Sequence, residues 1–175
     1  MTVSRPPSEA VPDRARRIEL CRPDSPADLA SATEIFREYA TRLGVDLCFQ
    51  NFEEELATLP GEYAPPGGAI LLAHVDGRLA GCGALRPIAD VDYANACEMK
   101  RLFVRPDFRG LGLGRLIAEA LLDEARRAGY SAMLLDTLDE MEAARELYTS
   151  LGFEEIPPYY FNPLSGAHYL KADLD

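Results

Sequence analysis

The chain has 175 residues, 47% of them hydrophobic, and a formal net charge of −11 from 18 Lys and Arg against 29 Asp and Glu. That length suits one domain able to bury about 70% of its unfolded surface. No apolar run approaches the ~20 residues of a membrane span, and the acidic balance opposes nucleic-acid binding, where clustered Lys and Arg dominate; a cationic partner fits mildly better, although an acidic surface also simply confers solubility.

Residues 1–17 combine two consecutive prolines with Arg14, Arg16 and Arg17 and lack an apolar stretch. A flexible tail is expected there rather than a secretory signal, with 18–175 as a single domain. Cys21, Cys48, Cys82 and Cys97 form no C-x-x-C pair, so no zinc or redox site is indicated. Each reads as a small buried hydrophobe, and a reducing, cytoplasmic setting fits.

Ile18 to Arg22 reads as a short strand. Asp24-Ser25-Pro26 supplies a cap and then proline at the first helical position, and Leu29, Ala32, Phe36, Tyr39 and Leu43 keep helical spacing up to Gly44, so a helix is expected over 26–43. A short helix should follow Asn51, with Glu54 completing a capping box, and end near Leu59-Pro60-Gly61. The Glu53-Glu54-Glu55 run within it reads as a solvated face. Ala69 to Val75 and Arg78 to Arg86 form a hairpin about Asp76-Gly77.

Cys97 to Val104 is a third antiparallel strand, with Cys97, Met99, Leu102 and Val104 as apolar members and Phe103 breaking the alternation. Leu113 to Ala128 is an amphipathic helix stopped by Gly129. Ser131 to Asp136 reads as a central strand, parallel to the third through a right-handed crossover. Asp139 to Leu151 is a helix stopped by Gly152, and Phe153 to Ile156 with Ala167 to Asp173 closes the sheet around a loop rich in Pro and Tyr.

The turn before the helix at 113 carries Arg109-Gly110-Leu111-Gly112-Leu113-Gly114, flanked by Arg109 and Arg115. Unpaired N–H groups and the positive end of a helix dipole suit an anion, and glycine lets a pyrophosphate approach the backbone. Spacing excludes a dinucleotide fingerprint, since Arg115 and Ile117 stand where glycine is needed, and the Gly-Lys-Ser/Thr ending of a P-loop is missing. The glycines alone are equally compatible with a plain turn.

Arg109-x-x-Gly112-x-Gly114, following a strand of EMKRLFV type, resembles the signature of the GNAT superfamily of acetyl-CoA-dependent N-acetyltransferases. A second block, from Ala144 through Tyr148 to Gly152-Phe153, is similar to that family's A-x-x-x-Y-x-x-x-G-F segment. The resemblance covers roughly Ile18 to the C-terminus. It implies an α+β, three-layer fold of about four helices and a mixed, mostly antiparallel sheet of six to seven strands, whose central parallel pair splays into a slot for pantetheine.

It also implies acetyl-CoA as co-substrate with no metal, a small-molecule amine or amino-acid-like acceptor, and direct attack without a covalent intermediate. Pyrophosphate would meet Arg109, Gly110, Leu111, Gly112, Leu113, Gly114 and Arg115. Backbone groups of Leu102, Phe103 and Val104 would hold the pantetheine, with the Val104 amide polarising the thioester. An asparagine that many members place seven residues before the tyrosine is Met141 here.

An alkyl ammonium of pKa near 10.4 is neutral in only about one molecule in a few thousand at pH 7, so a base must take its proton. Glu98 is the candidate, directly or through water; alternatively it pairs with Lys100 or Arg101. Tyr148 matches the family's proton donor to the leaving thiolate, or else serves as a core aromatic. Acceptor contacts are sought among Phe49, Tyr63, Arg86, Tyr159, Tyr160 and Asn162. Arg86 could hold a substrate carboxylate, and the aromatic loop could hold a cation, cover the sheet end or join two copies into a homodimer. His74 and His168 read as structural. The competing readings are a catalytically silent acyl-CoA-binding module and an acetyltransferase acting on protein lysines or N-termini.

Overall fold

The computed structural model describes residues 15–44, 46–139 and 141–175. Most of the expected tail, residues 1–14, lies outside the described residues. Arg17 is tied down, its N–H donating to Asp76 Oδ1 at 2.9 Å and its carbonyl accepting from the Asp76 N–H at 2.8 Å.

Among the described residues seven strands and four helices follow one another in the anticipated order: β1 (Ile18–Cys21), α1 (Pro26–Leu43), α2 (Phe52–Ala57), β2 (Ala69–Val75), β3 (Arg78–Ile88), β4 (Ala96–Val104), α3 (Leu113–Arg127), β5 (Ala132–Leu138), α4 (Glu142–Ser150), β6 (Glu154–Ile156) and β7 (Ala167–Asp173). They form one sheet in the order β1-β2-β3-β4-β5-β7-β6. Every neighbouring pair is antiparallel except β4 and β5.

Local chemistry explains α1. Ser25 is extended and its Oγ accepts from the Asp28 N–H at 3.1 Å, Pro26 follows, and Gly44 closes the helix at φ 70°. The capping box expected at Asn51 does not form: Asn51 sits at φ 54° and its side chain makes no cap bond, because a 3-10 turn over Cys48–Gln50 delivers the chain to α2 already turned. Helix α4 starts three residues later than expected, with Met141 at its N-cap. Cys82 and Cys97 are buried, Cys21 is half-buried, and Cys48 is exposed, contrary to expectation, because it opens that surface turn.

The sheet separates two cores. Ala69, Leu71 and Ala73 of β2 face Ile117 and Leu121 of α3, whereas Ile70 and Leu72 face Ile35 and Phe36 of α1 and Leu56 of α2. Helix α3 lies unusually close to β3 at Gly83, where an added Cβ would come within 2.8 Å of both Ile117 and Leu121 side chains.

Strand β4 changes phase midway. Cys97 and Met99 face α3, but after Arg101 it is Leu102 and Val104 that pack on that side, while Phe103 joins the α1 core. Arg101 lies at φ 61°, and the β3 register slips there from Cys82↔Phe103 to Ala84↔Lys100. This is a β-bulge. Its left-handed arginine costs about 1–2 kcal/mol of backbone energy. The parallel pairing of β4 with β5 covers only Ala96–Glu98 against Ala132–Leu134, after which the strands part.

Candidate active site

Three features converge where β4 and β5 separate. The first is a slot walled by Met99 to Leu102 of β4, Leu135 to Leu138 of β5, Met141 and Tyr148. Strands that diverge leave backbone N–H and C=O groups without ladder partners, and an extended chain such as pantetheine can take them up. Of the expected segment, Leu102 lines the slot, while Phe103 sends its ring to the opposite face against Tyr39, with ring centroids 6.0 Å apart.

Beyond the slot-lining stretch of β4 stands the N-terminus of α3, where a Cβ added at Gly114 would lie 4.0 Å from the Val104 side chain and 3.6 Å from that of Leu147. Gly110 and Gly112 adopt φ 84° and 75°, which an L side chain would resist, and Gly112 caps the helix with no side-chain bond. The first-turn N–H groups are thus free by helix geometry. Among the described residues Arg109 is exposed and makes no ion pair, whereas Arg115 turns along α3 to Glu119 at 3.3 Å.

The third feature is a cleft of about 660 Å³ between the sheet, α2 and the β6–β7 loop. At its floor Glu98 is 2% exposed. Its Oε1 accepts from Arg86 Nε at 3.0 Å and its Oε2 from the Tyr159 hydroxyl at 2.7 Å. Glu98 therefore pairs with Arg86, its cross-strand neighbour, and with neither Lys100 nor Arg101. Arg86 also donates to Glu62 at 2.6 Å. Asp136 on β5 accepts from Tyr160 and, at 3.2 Å, from Asn162. Burial first, then the facing carboxylates, push the Tyr159 and Tyr160 phenols well above their ordinary range, so both remain donors at neutral pH. Their rings meet Tyr169 of β7 edge-on, covering the end of the sheet. Phe49 falls outside the described side chains.

Tyr148 stands apart from this cluster. Its ring packs on Phe153 at 5.6 Å and it is 6% exposed, while the residue lines the slot. Burial raises its phenol pKa, with Tyr39 and Asp136 adding to the effect. His168 bridges Asp139 and Glu155, and His74 lies beside Cys21, both outside the site.

A second buried network was missed by the sequence reading. Arg101, at the bulge, forms a bidentate pair with Glu55 of α2 at 2.9 and 3.1 Å, and Tyr63 donates to the same carboxylate at 2.7 Å. Gln50 Oε1 accepts from Arg101 at 2.8 Å and from Lys100 at 3.1 Å. Glu55 is thus no part of a solvated face, although Glu53 and Glu54 are exposed. A polar residue at the α2 positions facing the core, beside apolar Phe52 and Leu56, was the available signal.

Residues 29–153 match the acetyltransferase (GNAT) family. A protein of Schizosaccharomyces pombe described as an uncharacterized N-acetyltransferase is 41% identical over 85% of this chain and 90% of its own length. A Dictyostelium discoideum protein of the same description is 34% identical over 80% and 92%. In fold, the chain is similar to an acetyltransferase of Salmonella typhimurium solved with its cofactor acetyl-CoA, at TM-score 0.70 and 24% identity over 92% of this chain and 95% of that one. The chain belongs to the GNAT family and is an acyltransferase of the N-acetyltransferase class. Among the described residues no helix is long and apolar enough to cross a membrane.

Proposed function

We propose that residues 18–175 form one N-acetyltransferase domain that moves the acetyl group of acetyl-CoA to the primary amine of a small-molecule or amino-acid-like acceptor by direct attack. The observation that carries this reading is the meeting of slot and cleft at Lys100 of β4, with the N-terminus of α3 beside Val104 at the end of the same strand. A thioester lying in the slot and an amine lying in the cleft would face each other across Lys100.

Arg109, the backbone from Gly110 to Gly114 and Arg115 hold the pyrophosphate, and Leu102, Phe103 and Val104 present backbone groups to the pantetheine. The acceptor ammonium donates to the Tyr159 oxygen while Tyr159 passes its own proton to Glu98, which gives Glu98 its role as base although both its oxygens are engaged. The freed nitrogen bonds to the thioester carbon as the C–S bond breaks. Tyr148 protonates the departing thiolate, and the proton shed as the amide forms restores its phenol. The proton on Glu98 returns to solvent. Arg86 and Tyr160 shape the acceptor cleft, and Asn162, which lines the slot, joins them through Asp136 and the Tyr160 hydroxyl.

Release of free thiol from acetyl-CoA, followed against amines, amino acids, polyamines and aminoglycosides, tests this reading. Turnover with one acceptor class and formation of its N-acetyl product is expected; tight CoA binding with no turnover across the panel would instead identify a binding module.

A further inference from the structure

Lys100 occupies a singular place in this site. It and Gln50 are the residues that line both the slot and the cleft. Its side chain is 5% exposed, yet an ammonium carries three N–H donors, and among the described residues it makes one hydrogen bond, to Gln50. Asp136 Oδ1, at 3.7 Å, contributes charge from beyond hydrogen-bond distance.

The neighbouring groups are in the opposite condition. Glu98 accepts from Arg86 and Tyr159, and Asp136 accepts from Tyr160 and Asn162. Arg101 is committed to Glu55, and Arg86 is divided between Glu62 and Glu98. Lys100 is therefore the cation among these three with no carboxylate in hydrogen-bond contact, and a buried ammonium short of acceptors is costly. Burial pulls its pKa down against the opposing pull of Glu98 and Asp136.

We propose that Lys100 receives the carboxylate of the acceptor, so that the acceptor is an α-amino acid rather than a plain alkylamine. The inference rests on the proposed acetyl transfer and names its substrate class. A carboxylate on Lys100 Nζ leaves the α-nitrogen, one carbon away, at the mouth of the slot, and sends the amino-acid side chain into the cleft. It also supplies the acceptors that the ammonium lacks. Arg86, the cation expected for this task from sequence, is already satisfied by two carboxylates.

The test compares amino acids with their decarboxylation products, such as phenylalanine with phenethylamine and leucine with isopentylamine, on the full chain and on K100M and K100R. A charged hydrogen-bonded contact corresponds to a preference for the amino acid of about a hundredfold in kcat/KM. K100M should erase that preference mainly through the KM of the amino acid, and K100R should retain most of it; a thermal melt and CoA binding establish that each variant is folded. Equal use of the two classes by the wild type overturns the proposal, as does a K100M defect that falls equally on both. If neither these compounds nor any acceptor of the wider panel is acetylated, the proposed function fails, and calorimetric titration of the CoA-loaded protein with the same amino acids still decides the point. Binding that K100M abolishes supports the carboxylate site, and no binding overturns it.

Discussion

Tyr148, the acid of the proposed mechanism, shows what burial does to a phenol. Its phenol sits in an apolar wall beside Phe153, and desolvation favours the neutral form, so it holds a transferable proton across the neutral range. Tyr148→Phe removes the hydroxyl and keeps the ring. We expect kcat to fall about 10²–10⁴-fold with CoA affinity little changed, as read by thiol release and by calorimetry. The place of Tyr148 on the slot wall was legible because its spacing to Gly152 and Phe153 is local. Glu55 and Arg101 were not: nothing in Glu53-Glu54-Glu55 separates the buried member from its exposed neighbours until β4 is laid against α2. Glu98 was found as an acidic group at the site, but its partner Arg86 lies twelve residues away across a hairpin pair whose register sequence alone does not supply.

At the scale of elements, the β4 bulge determines where everything else stands. Phe103 interrupts an otherwise alternating strand, and that interruption is the bulge seen in one dimension: the chain inserts Arg101, and the faces exchange. The break in pattern was visible in the sequence, and its cause needed the register against Gly83. Holding an arginine in left-handed backbone requires a fixed partner, and Glu55 is 10% exposed in a bidentate pair with it. Glu55→Ala would leave the guanidinium buried and uncompensated, at a cost of about 3–5 kcal/mol. Urea unfolding should show that loss as a lower midpoint with an unchanged slope. Elements with local punctuation were read most closely: α1 between Ser25 and Gly44 to the residue at both ends, and the hairpin to the residue at its Asp76-Gly77 turn, although β3 runs on to Ile88 rather than stopping at Arg86. Helix α2 starts where it was expected, directly after Asn51, but the preceding turn replaced the side-chain cap that Asn51 was expected to provide.

For the whole molecule, His168 joins β7 to β6 through Glu155 and to the start of the α4 connection through Asp139. Hydrogen bonds to Asp139 and then Glu155 raise its pKa above the ordinary 6.5. A group whose folded pKa is raised contributes stability that is complete below the unfolded value and disappears as pH rises through the folded one. Thermal midpoints should therefore decline from about pH 6 upward, and His168→Gln should flatten that part of the profile. A variant that tracks the wild type across this window would assign the pH dependence elsewhere. The short seam between β4 and β5, three residue pairs long, has a wider consequence. It leaves the sheet as two plates, β1 to β4 and β5 to β7, riveted at one edge and open at the other. Under the proposed docking, pantetheine acts as a splint between the plates, so the protein's resistance to unfolding becomes a gauge of how much of its own reactant surrounds it.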